Sequence, residues 1–122
     1  MIRLHHVNVV VAPGCTDAVV PFYEVLGLTR VAKPTEGVAK EGAWFDFPGG
    51  ATQLHISEHS GDRHPDQHFA VVVSDLDAVV RRLAQAGHPW APRPAIQGAK
   101  RGMTADPEGN AVELVETAGA FA

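Results

Sequence analysis

Apolar and polar residues alternate along two separate segments of the chain, and each segment is a candidate strand. Residues 4–11 read LHHVNVVV and residues 66–73 read DQHFAVVV. Alternation with a period of two is typical of a strand that buries one face. Apolar residues at helical spacing follow each segment, and a glycine suited to a C-terminal cap stands after each of these runs. The pattern predicts a strand and then a helix, twice.

The two predicted helices begin at residues that cap helices well. Thr16 or Asp17 can cap the first helix, and Ser74 or Asp75 can cap the second, which we place over residues 75–86. Three further strands fit after each helix, separated by Pro, Gly and charged residues. We predict these strands at 28–33, 42–47 and 51–57, and again at 89–93, 101–105 and 110–116. The predicted order is βαβββ, twice.

An internal repeat supports this division. The tetrapeptide DAVV at 17–20 recurs at 77–80, and Gln53-Leu54 corresponds to Glu113-Leu114 at the same offset of 60 positions, while His6 precedes His68 by 62. Repeated landmarks in the same order indicate duplicated structural units. We therefore expect one domain over 1–122, made of one module at about 1–60 and another at about 61–122.

Polar side chains capable of binding a metal recur on one face of the predicted strands. Alternation places His6 with Asn8 on one strand face and Gln53 with His55 on another, opposite the valines that belong against a helix. If a pseudo-twofold axis relates the two modules, four side chains approach a common centre. Imidazole, carboxylate and amide groups suit a divalent ion of intermediate hardness. The four are His6, Gln53, His68 and Glu113, and His55 could replace Gln53 as a ligand.

Composition and charge exclude several classes of partner. The chain has ten Lys and Arg against fourteen Asp and Glu, a net charge of -4, and no basic stripe, so we expect no nucleic-acid partner. No apolar run approaches the roughly 20 residues that cross a bilayer, and no signal segment opens the chain. We therefore expect no membrane partner and a cytoplasmic location. Cys15 is the single cysteine, and we interpret it as structural.

The phrases LHHVNVVV, FYEVLGL, QLHIS, HFAVVVSDLDAVVRRLAQAG and DPEGNAVELVE resemble those of the vicinal oxygen chelate superfamily, which includes glyoxalase I, bleomycin-resistance proteins and extradiol dioxygenases. The resemblance covers essentially the whole chain. It implies an α+β fold in which two tandem βαβββ modules form an open, U-shaped mixed sheet around a central cavity. The family's metal positions, carried over by motif, fall on His6, Gln53, His68 and Glu113. Glyoxalase I typically has glutamate where Gln53 stands, so its two-base mechanism does not transfer directly.

The resemblance also implies an activity. We expect a metal-dependent lyase or isomerase that uses Zn, Ni, Co, Mn or Fe and acts on a small carbonyl or thioester-like substrate through a chelated, enediolate-like intermediate. Glu113 serves as ligand and base, or as a ligand beside Glu41. Asn8, His55 and Arg101 are expected to line the substrate pocket.

Other activities of the superfamily stay open as alternatives. They are metal-free sequestration of a drug, as in bleomycin resistance, a fosfomycin-type thiol transferase and a dioxygenase. Each module alone leaves open sheet edges, so we expect a homodimer. The sites form within one chain or across the two chains of the dimer.

Overall fold

A computed structural model describes residues 1–117 of the chain. Residues 118–122, the end of the predicted second module, lie outside the described part. The strands and helices follow the predicted order βαβββ, twice. They are β1 (His6–Val11), α1 (Thr16–Val25), β2 (Thr29–Val31), β3 (Ala43–Asp46), β4 (Gln53–Glu58), β5 (His68–Val73), α2 (Leu76–Gln85), β6 (Ala91–Ile96), β7 (Ala99–Ala105) and β8 (Ala111–Glu116).

The described chain divides into two compact units, the first ending at Arg63 and the second beginning at His64. Each unit contains a four-stranded mixed sheet. The strand orders are β1-β4-β3-β2 and β5-β8-β7-β6. In both units the first and last strands are parallel neighbours, and the other pairs are antiparallel. This pairing confirms the α+β class and brings the strands that carry the candidate ligands side by side.

The hydrophobic core of the first unit lies between α1 and one face of its sheet. Val11 of β1 and Leu54 of β4 are fully buried, as are Phe22 and Tyr23 of α1 and Phe45 of β3. Burial of side chains of this size contributes roughly 1.5–3 kcal/mol each. Because side chains alternate along a strand, the packed face leaves His6, Gln53 and their neighbours on the opposite face.

The two helices begin in different ways. Asp75 caps α2 as predicted, since its Oδ1 accepts a hydrogen bond from the Ala78 N–H at 3.0 Å. Cys15 occupies the N-cap of α1, where no side chain caps the helix, so the prediction of Thr16 or Asp17 was wrong. The carboxylate of Glu58 instead anchors the start of α1, because its oxygens accept hydrogen bonds from Gly14 N–H and from Thr16 Oγ1 at 2.9 and 2.7 Å.

Strand β6 lies later than predicted, at 91–96 rather than 89–93. Its pairing with β7 shifts register between Arg93 and Ile96. Pro92 and Pro94 lack the N–H that a ladder requires, which confines such a strand to a sheet edge and favours a bulge. Trp90 precedes β6 and packs so closely on Gly102 that a β-carbon there would lie 2.6 Å from the indole ring.

Candidate metal centre

In the first unit, two rows of side chains cross the sheet on the face opposite α1. The first row runs from His6 on β1 to Gln53 on β4 and Asp46 on β3, which are direct partners in the strand pairing. The second row, two residues further along β1, contains Asn8, His55 and Trp44. Both predicted candidates on β4 therefore lie beside residues of β1 that share their face.

His55 is the most enclosed of these polar side chains, with 8% of its surface exposed. Its ring lies parallel to the Trp44 indole at a centroid distance of 3.9 Å, and its other side stacks on His6 at 4.0 Å. Burial lowers the pKa of His55 from 6.5 to about 4, and the charges of His6, His5 and Lys33 act in the same direction. The imidazole of His55 is therefore neutral at physiological pH.

Gln53 connects His55 to a carboxylate on the neighbouring strand. The Gln53 Nε2 donates to Asp46 Oδ1 at 2.9 Å, and its Oε1 lies 2.9 Å from His55 Nε2. Asp46 is a residue that the sequence analysis did not single out. Its position opposite Gln53 becomes apparent only with the β3–β4 register.

In the second unit, His68 and Glu113 lie in contact. The His68 Nε2 is 3.3 Å from Glu113 Oε1, with 40% and 14% of the two side chains exposed. The other ring nitrogen of His68, Nδ1, lies 2.8 Å from the Asp66 carbonyl oxygen, to which it can only donate. That hydrogen bond gives neutral His68 an unprotonated Nε2, the arrangement found when a histidine binds metal through Nε2.

Arg101 engages the other oxygen of Glu113. Its Nη1 lies 3.3 Å from Glu113 Oε2, and its Nε donates to the Pro94 carbonyl at 3.0 Å. Arg101 also borders a cavity of about 250 Å³ within the second unit, whose lining includes Trp90 and Arg93. Arg101 thus contacts a candidate ligand, and the cavity that it borders is lined by neither His68 nor Glu113.

The strand pairings match residues of the first unit to residues of the second in a different way from the sequence offset of 60 positions. Glu58 and Glu116 end β4 and β8, pair with the last residues of β1 and β5, and accept hydrogen bonds from the N-terminal segments of α1 and α2. Counting back three residues from each makes His55, rather than Gln53, the equivalent of Glu113. The equivalent of Gln53 is Ala111. Loops of unequal length between strands and helices account for the shift.

Three other predicted or nearby residues have defined surroundings. Asn8 Nδ2 donates to Ser57 Oγ at 2.9 Å on the face that carries His55. Glu41 is exposed in the segment between β2 and β3, and its backbone carbonyl accepts from the Lys33 ammonium. The Nδ1 of His5 lies 2.9 Å from Nδ1 of His6.

Within each unit, the candidate ligands come together only two at a time. Among residues 1–117, no three or more His, Cys, Asp or Glu side chains are gathered so that they could hold a metal ion. Bonds of about 2.1 Å to nitrogen and oxygen place neighbouring ligand atoms about 3.0–3.4 Å apart in octahedral or tetrahedral geometry. The 3.3 Å between His68 Nε2 and Glu113 Oε1 falls in this range, so this pair fits two positions around one ion.

The fold and these strand pairs agree with a family model that matches residues 3–114, described as the Glyoxalase/Bleomycin resistance protein/Dioxygenase superfamily. The chain belongs to this superfamily. No curated protein sequence matches the chain.

Solved structures similar to the chain include proteins with different stated activities. A glyoxalase family protein from Bacillus anthracis is 27% identical, with a TM-score of 0.85 and 96% of each chain covered. The antibiotic-binding protein TnmS3 from Streptomyces sp. CB03234 is 21% identical, with a TM-score of 0.75 and coverage of 97% of this chain and 98% of that one. Lactoylglutathione lyase from Agrobacterium tumefaciens is 20% identical, with a TM-score of 0.70 and coverage of 93% and 92%. At these identities the last two show a shared fold.

Neither helix within residues 1–117 has the length and apolar character required to cross a bilayer.

Proposed function

We propose that the chain is a metal-dependent enzyme of the lyase or isomerase type that acts on a small carbonyl or thioester-like substrate in the cytoplasm. A divalent ion, one of Zn, Ni, Co, Mn or Fe, is held by His6, His68, Glu113 and one side chain of β4. Both units supply ligands, from one chain or from the two chains of a homodimer. The single observation that carries the proposal is the contact of His68 Nε2 with Glu113 Oε1 at 3.3 Å.

Hydrogen bonds around this pair support a metal-binding role. The Asp66 carbonyl accepts from Nδ1 of the His68 ring, so the lone pair of the neutral ring lies on Nε2, and Arg101 holds Glu113 Oε2. Metal-binding histidines and carboxylates commonly have such outer partners, and these partners orient the ligands. His68 and Glu113 therefore each have one atom held by the protein and one atom available to an ion.

The structure favours His55 over Gln53 as the ligand from β4. His55 is the register equivalent of Glu113, whereas both polar atoms of the Gln53 amide already engage Asp46 and His55. His55 is also neutral at physiological pH because its pKa is lowered to about 4. A neutral imidazole offers a lone pair without first releasing a proton.

A bound divalent ion would supply Lewis acidity, polarising adjacent oxygens of a substrate and easing loss of a proton from the neighbouring carbon. Glu113 is the ligand and, with Glu41, a candidate base for that proton. Arg101 holds Glu113 in one orientation, which favours Glu113 as a fixed ligand, and Glu41 is the other candidate base. Asn8 lies beside His55 and can orient a substrate through its amide.

Metal titration of the untagged full chain tests the proposal. We expect the stripped protein to bind about one ion of Zn²⁺, Ni²⁺, Co²⁺, Mn²⁺ or Fe²⁺ per chain, measured by elemental analysis after gel filtration. The variant His68→Ala should lose at least about 100-fold in affinity, since outer partners alone cost 10–100-fold. His59→Ala removes an exposed imidazole outside the candidate set and is the matched control. A wild-type chain that binds none of these ions at micromolar concentration contradicts the proposal.

Two assays on the loaded protein then distinguish the reaction types. Consumption of a hemithioacetal indicates a glyoxalase-type isomerisation, and deuterium wash-in beside a thioester indicates an epimerase. Failure of both in a protein that binds metal would overturn the lyase or isomerase assignment and retain the metal site.

A second candidate function is metal-free sequestration of an aromatic compound. The parallel stack of Trp44, His55 and His6 favours it, because a planar ligand can extend a row of stacked rings. Titration of stripped protein with metal-free bleomycin, followed by tryptophan fluorescence, tests this candidate. Binding that is lost in Trp44→Leu and kept in wild-type protein without metal would support sequestration over catalysis.

A further inference from the structure

Three side chains on β3 and β4 form a continuous hydrogen-bonded chain. Asp46 Oδ1 accepts from Gln53 Nε2, and Gln53 Oε1 contacts His55 Nε2, both at 2.9 Å. A carboxylate oxygen can only accept, so the amide nitrogen of Gln53 must face Asp46. The amide oxygen must then face His55, and the ring nitrogen that it meets has to carry the proton.

We infer that Asp46 and Gln53 act together to fix His55 in the tautomer protonated at Nε2, so that Nδ1 presents its lone pair to a ligand. Gln53 is then a positioning residue that holds His55 through Nε2, the ring nitrogen opposite the one that meets the ligand. The tautomer follows from hydrogen-bond geometry alone, whereas the use of Nδ1 to bind a metal rests on the proposed function.

The surroundings of His55 agree with an available Nδ1. Within residues 1–117, Thr117 Oγ1 is the one buried side-chain nitrogen or oxygen that lacks a hydrogen-bond partner. Within the same range the hydrogen bond of the His55 ring uses Nε2, and Nδ1 is not among the buried atoms that lack a partner, although the residue as a whole is buried. Stacking between Trp44 and His6 restricts the ring to one plane. The plane and the tautomer of His55 are thus both fixed before any ligand arrives. Because a metal lies in the plane of the imidazole that binds it, His6 has to leave the stack to reach the same ion.

The tautomer can be measured on the metal-free full chain. Long-range proton–nitrogen correlation spectra at neutral pH should show His55 protonated at Nε2, with the assignment given by loss of the signal in His55→Gln. In Asp46→Asn the acceptor is no longer obligatory, the Gln53 amide can turn over, and both tautomers should appear. Asp17→Asn removes the same charge from an exposed position and should leave the spectrum unchanged. Protonation of wild-type His55 at Nδ1, or an unchanged tautomer in Asp46→Asn, overturns the inference.

Zinc affinity provides the second readout. Asp46→Asn and Gln53→Ala should each weaken Zn²⁺ binding by about 10- to 100-fold, as loss of outer partners does, and keep the stoichiometry of the wild-type chain. Loss of the bound zinc in Gln53→Ala, to the extent seen with His68→Ala, would identify Gln53 as a ligand and overturn the positioning role. If wild-type protein binds no zinc, the proposed function fails, and the tautomer spectra still decide the arrangement of Asp46, Gln53 and His55.

Discussion

Gln53 Oε1 and His55 Nε2 lie 2.9 Å apart on the same face of β4, two residues apart along the strand. Both residues qualify as metal ligands by type, and their side chains share one direction because strands alternate with a period of two. The contact makes the two residues unequal as candidate metal ligands. Gln53 has both amide groups engaged, while His55 has a ring nitrogen left over.

The lowered pKa of His55 predicts that the metal-free protein loses stability in mild acid. Between the usual 6.5 and about 4, the unfolded chain binds a proton at this residue that the folded chain does not. The free energy of unfolding should therefore fall as the pH drops through this window, by roughly 3 kcal/mol in total. Urea unfolding at a series of pH values measures the slope. His55→Gln removes the titrating group, and a slope that is unchanged in this variant would contradict the assignment.

Two glycines with similar backbone angles should differ in their tolerance of alanine. Gly42 and Gly37 have φ values of +92° and +80°, but a β-carbon at Gly42 would lie 2.0 Å from the Ile56 carbonyl oxygen, while one at Gly37 meets nothing within 4 Å. Gly37→Ala should cost about 1 kcal/mol from the backbone angle alone. Gly42→Ala should cost on the order of 3 kcal/mol, because β3 must move away from β4. Equal unfolding midpoints for the two variants would contradict this account.

Arg101 should contribute to metal affinity without being a ligand. It holds Glu113 Oε2 at 3.3 Å, so Arg101→Ala leaves the carboxylate free to rotate, and we expect a loss of about 10- to 100-fold in affinity for Zn²⁺. Arg93 pairs directly with Arg101 across β6 and β7, and within residues 1–117 its guanidinium has no carboxylate partner. Arg93→Ala is therefore the matched control. Similar losses in both variants would indicate a general effect of charge.

A complementation experiment tests whether the ligands come from two chains. In a homodimer whose sites form across chains, a mixture of His6→Ala and His68→Ala contains heterodimers with one intact site and one doubly altered site. Random assortment then gives about one quarter of an ion per chain after mixing, although neither variant binds metal alone. Sites formed within one chain give no recovery on mixing.

The sequence predicted those features that depend on local pattern. The alternation of apolar and polar residues in β1, β4, β5 and β8 depends only on neighbouring residues, as does the cap of α2 by Asp75. The structure confirms these strands and this cap. The start of α1 was not predictable in this way, since its acceptor, Glu58, lies 42 residues away from Thr16.

The local sequence pattern also could not predict which residues face each other across neighbouring strands. An offset of 60 positions aligned Gln53 with Glu113, but the loops differ in length and the register aligns His55. The role of Asp46 depends on which residue of β4 it opposes, and that position is set by tertiary pairing. Residue types alone could therefore identify candidate ligands and could not rank them.

The parallel pairing of β1 with β4 also bears on how the protein folds. His6 and Gln53 become neighbours only when the chain closes the long loop that contains the intervening helix and two strands. The pairing of β5 with β8 requires the same closure in the second unit. Contacts this distant in sequence raise the contact order and form late, because loop closure has to precede them. A ligand that bridges the first and last strands of a unit would then act mainly on the rate of unfolding, prolonging the lifetime of the native state and leaving the speed of its formation nearly unchanged.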